Sequence, residues 1–156
     1  MEKNKKLENN IVHDAYYLVS LFNDEGLPVT QLQVQKLMYL FEAYYMNKEN
    51  KTLYECEYQA WPFGPVATPL YKHFKKYGKE EIKLTPEERK IAEKTSDIKK
   101  KYMHNLYKVF KDFKVFELVS FTHATGSPWE SCWKEKPYSE IPKNMIKDWF
   151  SKYVKK

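Results

Sequence analysis

Arginine is almost missing from this chain: Arg89 stands alone, and lysine carries the rest of the positive charge behind a net +6. Planar, two-pronged recognition of guanine edges or phosphates favours the guanidinium fork. Sequence-specific reading of nucleic acid is therefore not indicated, and a lysine-rich surface implies at most weak, non-specific attraction to polyanions. Glycine is scarce as well. Four glycines leave no P-loop, no Gly-rich dinucleotide turn and no Gly-x-Ser-x-Gly elbow. The two cysteines, Cys56 and Cys132, are far apart and form no Cys-x-x-Cys pair. One disulfide stays open, but a reduced, cytoplasmic setting is the simpler expectation. Long apolar runs are absent too. The longest, Leu37-Met38-Tyr39-Leu40-Phe41, falls far short of the ~18 residues of a membrane helix, so no membrane partner is expected. Residues 1–10 are polar and charged, with no apolar h-region. Residues 1–8 are expected to be a flexible lead-in.

What is present is aromatic. Aromatic residues make up 17% of the chain and hydrophobic residues 42%, which argues for a packed fold and against disorder. The length suits a single domain over 1–156. The densest punctuation is Ala60-Trp61-Pro62-Phe63-Gly64-Pro65-Val66. Before it, Tyr54, Cys56, Tyr58 and Ala60 alternate with Glu55, Glu57 and Gln59, the pattern of a half-buried strand. After it, Val66, Leu70, Phe74 and Tyr77 recur at helical spacing up to Gly78, a C-terminal stop. The stretch reads as a rigid strand-to-helix corner. Trp61 and Phe63 are then either core around which helices pack or an exposed aromatic contact.

The remaining pattern is helical. A first helix is expected over Glu8–Phe22. Thr30 caps a second, with Gln33 completing a capping box, and this helix is expected to run to Met46 as the most buried one. Lys36 lies within it, so its stem should snorkel and its ammonium reach solvent or a carboxylate. Ile82-Lys83-Leu84 suits a second short strand. A long helix is expected from Thr85-Pro86 to Lys114, its apolar face being Ile98, Tyr102, Leu106, Val109 and Phe113. On the opposite face Lys101, His104, Lys108 and Lys111 form a basic stripe, a solvated face or a weak polyanion contact. A short helix over Val115–Phe121 follows. Ser127, Pro128 and Glu130 then open another, with Trp129 and Trp133 one turn apart. The last spans Pro142–Tyr153, with Met145, Trp149, Phe150 and Tyr153 facing in. The fold class is mainly α, a compact helical domain around a small β-sheet or hairpin.

No constellation for chemistry emerges. His13, His73, His104 and His123 are scattered, without metal-ligand spacing, so no cofactor, metal or catalytic residue is expected. Cys132 with His123 could be imagined as nucleophile and base. Cys132 between tryptophans packs better as a small apolar residue, and His123, at a helix end, suits bonding to the last free carbonyls.

The order of these motifs resembles the Panacea antitoxin domain, a family that includes SocA-like antitoxins and phage-associated GepA-like proteins. The matching residues are Gln35-Lys36-Leu37-Met38-Tyr39, Ala60-Trp61, Gly64-Pro65-Val66 beside Phe63, Tyr71, Thr122-His123 and Pro128-Trp129. The resemblance runs from about Ile11 to Phe150. The resemblance implies a non-enzymatic antitoxin that neutralises a cognate protein toxin, encoded by an adjacent gene in a bacterium or prophage, through direct contact. It also implies possible delivery of that toxin to a protease. A phage or prophage accessory protein that binds a host protein, or a lysine-rich nucleic-acid-binding protein, is the alternative.

Overall fold

A computed structural model describes residues 9–154. The expectations placed on residues 1–8 lie outside the described residues. Among the described residues eight α-helices and a three-stranded sheet follow one another as α1 (Ile11–Asp24), α2 (Gln31–Glu49), β1 (Tyr58–Trp61), β2 (Gly64–Ala67), α3 (Thr68–Phe74), α4 (Pro86–Glu93), α5 (Asp97–Phe110), α6 (Val115–His123), α7 (Pro128–Glu135), β3 (Glu140–Ile141) and α8 (Lys143–Phe150). Single 3₁₀ turns follow α3 (Lys75–Tyr77) and α8 (Ser151–Tyr153). The architecture is mainly α with a small antiparallel sheet in the order β2-β1-β3.

α2 is the axis of the core. Twelve of its nineteen residues are buried, and Val34, Leu37, Met38, Tyr39, Leu40, Phe41 and Ala43 contribute to the cluster around it. So continuous a buried run has no polar face to show, as the sequence suggested. The Thr30–Gln33 capping box is present: Gln33 Oε1 accepts from Thr30 N at 2.8 Å. Asn10 caps α1, its Oδ1 accepting from Val12 N and His13 N. Ser127 Oγ accepts from Glu130 N at the start of α7.

Several expectations are corrected. The strand is shorter than its alternation, covering Tyr58–Trp61 only. The segment before it is held instead by a side chain of α2: Glu42 Oε2 accepts from Leu53 N (2.8 Å) and Tyr54 N (3.0 Å). After Trp61 the chain does not enter a helix. Pro62 and Phe63 form a two-residue hairpin tip, and Gly64–Ala67 returns as β2 in the register Trp61↔Gly64 to Tyr58↔Ala67. Val66 thus lies on a strand. Ile82–Leu84 makes no ladder. Ile82 N donates to Val29 O and Leu84 N to Asn23 Oδ1, loop contacts that satisfy the backbone singly.

The long helix is two helices. Lys94 N and Thr95 N bond back to Ile91 O and Ala92 O in the tighter i→i+3 pattern, and Ser96 opens α5. The break lets α4 pack on α1 and α5 on both α1 and α2. The expected apolar stripe, which begins after the break, is displaced as well. Ile98 is 40% and Val109 62% exposed, while Lys99, Tyr102, Met103, Leu106, Tyr107 and Phe110 form the buried face. Lys99 Nζ reaches Asp14, 3.0 Å from Oδ2, and Tyr54 O–H donates to the same oxygen at 2.7 Å. Burial still raises the Asp14 carboxyl above its ordinary range, against the pull of Lys99. In the last helix Ile146 and Phe150 are buried, but Tyr153 leaves the core in the 3₁₀ turn and is about half exposed.

Candidate functional site

The outward edge of β2 faces α2 and is already occupied. Gln35 takes both polar groups of Ala67: its Oε1 accepts from Ala67 N at 2.9 Å and its Nε2 donates to Ala67 O at 3.2 Å. One residue on, Lys36 Nζ donates to Pro65 O at 3.1 Å. Pro65 has no N–H, so its carbonyl is the only outward group left to satisfy there. Two side chains of a helix thus close a strand edge that would otherwise be open to another chain.

Lys36 overturns the snorkelling expectation. It is fully buried, and no carboxylate among the described residues bonds it. Gly64 makes room for it: a Cβ on that glycine would lie 2.7 Å from Lys36 Cε and 3.1 Å from Nζ. Burial brings the Lys36 ammonium down to about 7. Thr122 Oγ1 lies on the same side of Gly64 and donates into its own helix, at 3.1 Å from Leu118 O.

His123, next in α6, does not bond the final carbonyls. Its ring stacks on Trp129 with centroids 3.7 Å apart and planes at 14°, and its Nε2 is buried with no hydrogen-bond partner among the described residues. Burial, then the nearby Lys36 charge, lowers its pKa. Trp129 Nε1 donates to Trp61 O at 2.6 Å, and Trp133 lies parallel to Trp129 at 5.6 Å. Burial raises the Cys132 thiol and moves the Cys56 thiol up to about 11, against thiolate formation at neutral pH.

The motif residues of five separate elements therefore meet in one region. Lys36, Gly64, Pro65 and Thr122 form its interior. Trp61 is tied to it through Trp129 and His123, and Pro128 is buried alongside. Leu37 and Tyr39 turn into the core; Tyr39 meets Tyr58 edge-on at 5.2 Å. The core reading of the corner aromatics does not hold at the hairpin tip. Trp61 is half-buried against Tyr71, at 4.9 Å, and Phe63 at the tip is 65% exposed. The basic stripe on α5 stands apart. Lys101, His104 and Lys108 are exposed, and Lys111 pairs with Glu25 at 3.4 Å.

Above this interior lies a groove of about 750 Å³. The hairpin tip forms one wall with Trp61 and Phe63, and α6 the other with Val115, Phe116 and Val119; Tyr71 closes one side and Lys36 lies in the floor. Phe116 is 77% exposed. Sequence reasoning missed it, although α6 carries five apolar residues in the seven positions Val115–Phe121, more than one buried face of a short helix can absorb. It also missed the buried carboxylates Asp14 and Glu42. Those left no local signal, because their partners lie far along the chain.

The family model "Antitoxin SocA-like, Panacea domain" matches residues 34–130, which include α2 from Val34, the hairpin, α6 and the start of α7. Antitoxin SocA of Caulobacter vibrioides (strain NA1000 / CB15N) is 25% identical over 130 residues, covering 75% of this chain and 69% of that protein. No solved structure matches the chain. No described helix is long and apolar enough to cross a membrane. The chain belongs to the family of SocA-like antitoxins with a Panacea domain.

Proposed function

We propose that this protein, acting as a single domain over 1–156 and without catalysis, neutralises a cognate protein toxin by forming a stoichiometric complex with it in the cytoplasm. The observation that carries the reading is the groove between Phe63 and Phe116. Two large aromatic side chains, 65% and 77% exposed, flank an apolar trough next to the region where the family-motif residues meet. Aromatic anchors around a concave apolar surface are the usual centre of a protein interface. A specific complex would need to bury at least ~1,000 Å² in all, so the groove would be its centre rather than its whole extent. In this reading Lys36, Gly64, Pro65, Thr122, His123 and Trp129 act as positioning residues that fix the hairpin against α2 and α6, while Phe63, Tyr71 and Phe116 make the contact.

The test is co-expression of the neighbouring gene with and without this one, followed by pull-down from the cells. A neighbour that is toxic alone, is silenced by this protein and co-purifies with it in a fixed ratio is the expected result. Rescue with no physical complex, or a neighbour that is harmless alone, overturns direct neutralisation.

A further inference from the structure

The groove also specifies the chemistry of its occupant, an inference that rests on the antitoxin reading above. We propose that it takes an acidic segment of a partner protein, whose bulky apolar side chains seat between Phe63 and Phe116 and whose carboxylates face Lys79 at the rim.

Charge complementarity is the first argument. Among the described residues no aspartate or glutamate lines the groove, and the ionisable cations there are lysines, Lys36 buried in the floor and Lys79 exposed at the rim. The segment that supplies Tyr71, Gly78 and Lys79 also presents Lys72, Lys75 and Lys76 at exposed positions.

The closed edge of β2 supplies the second argument. With Ala67 held by Gln35 and Pro65 held by Lys36, an incoming segment finds no free backbone ladder at these positions. Strand addition is therefore excluded there, and recognition must run through side chains. The exposed surfaces offered to such side chains are aromatic. A second copy of this chain, with net charge +6, is the wrong partner electrostatically. A nucleic acid would supply the negative charge but would leave the Phe63–Phe116 walls without apolar partners.

A displayed library of random short peptides, panned on the intact protein and counter-selected on the Phe63→Ser/Phe116→Ser double variant, tests the occupant's chemistry without knowledge of the toxin. Both phenylalanines are exposed, so an unchanged melting curve verifies that the variant folds. The expected winners combine Asp or Glu with Phe, Leu or Trp. Their affinity should fall about tenfold or more in Lys79→Glu, roughly the effect of losing a significant interface contact, and stay unchanged in Lys101→Glu/Lys108→Glu on α5. Winners without an acidic bias, winners that bind the double variant equally well, or no winners at all overturn the proposal.

The second arm uses the complex with the neighbouring gene's product. A complex that forms but is indifferent to the groove variants refutes this inference and leaves the antitoxin reading standing. Absence of any complex refutes that reading instead, and the peptide arm then decides the groove alone. Sedimentation of the free protein provides a final check: a dimer abolished by Phe116→Ser would assign the groove to a second copy and overturn the proposal.

Discussion

Gly64 and Lys36 are fitted to one another: the space a Cβ would take on the glycine is filled by the lysine's Cε, 2.7 Å away. The glycine also holds φ at +117°, a conformation that L side chains rarely adopt. Gly64→Ala should therefore destabilise the fold by about 2 kcal/mol or more, part strain and part collision. The two parts separate in a double-mutant cycle. Lys36→Ala removes the atoms that collide but not the strain, so the penalty of Gly64→Ala should shrink when both changes are present. Urea midpoints that add without coupling would show that the contact contributes nothing.

The same burial makes Lys36 a source of pH-dependent stability. Its folded-state value of about 7 lies below its ordinary 10.5, because burial penalises the charged form. Between those values the unfolded chain holds the proton and the folded chain does not, so unfolding takes up a proton and stability rises with pH. The destabilising contribution is fully present below about pH 7 and vanishes as pH rises through about 10.5. Lys36→Met keeps the length and removes the titration. Relative to that variant, the wild type should gain stability between pH 7 and 10 at up to about 1.4 kcal/mol per pH unit. Parallel pH profiles for the two proteins in urea unfolding would refute the assignment.

The sequence shows a helix when its evidence is local. The Thr30–Gln33 box, the Ser127 cap and the unbroken apolar run of α2 were all readable in consecutive residues, and each is where the pattern puts it. Misreadings came where the deciding partner is distant. Periodicity alone cannot see that Thr95 and Ser96 end one helix and open another, because Ile91 and Ile98, seven residues apart, keep helical spacing across the break. Nor can it see that Val66 is drawn into a hairpin with Gln59. Lys36 is the plainest case. A lysine in an apolar helix is expected to find water, but the absence of a side chain on Gly64, 28 positions later in the sequence, gives it a buried seat. The motif residues were legible as a set; their meeting around that seat was not.

Glu42 should be the most sensitive polar position in the core. Fully buried, it accepts from Leu53 N, Tyr54 N, Tyr58 O–H at 2.9 Å and Lys143 Nζ at 2.9 Å. One carboxylate thus holds the segment before β1, the sheet and the start of α8. Glu42→Ala leaves the two N–H groups and the Tyr58 hydroxyl unpaired and takes the carboxylate from Lys143, which is 16% exposed and keeps its bond to Tyr54 O, and should cost about 3–5 kcal/mol. Glu42→Gln keeps the size but turns an amide N–H₂ towards donors, so it should recover only part of that loss. A thermal midpoint for Glu42→Ala within error of wild type would mean the carboxylate does not anchor the three elements.

Trp61 and Phe63 stand two residues apart and should respond differently. Trp61 packs on Tyr71 at 4.9 Å and Tyr138 at 5.9 Å, and its Nε1 donates to Gln59 Oε1 at 3.0 Å. Its ring is only half-buried, so Trp61→Ala should cost about 1–3 kcal/mol, less than the ~3–5 kcal/mol of a fully buried aromatic. Since the ring also forms a groove wall, partner binding should weaken in the same variant. Phe63, beyond the packed part of the hairpin, loses little folded-state contact when truncated. Phe63→Ser should leave the melting temperature within about ±0.5 kcal/mol equivalent, as for an exposed position, while weakening the complex about tenfold or more, as for an interface anchor. Calorimetry on the free proteins and titration with the partner measure the two effects separately. Equal loss of stability in both variants would return Phe63 to the core; binding unaffected by Phe63→Ser would move the contact away from the hairpin tip.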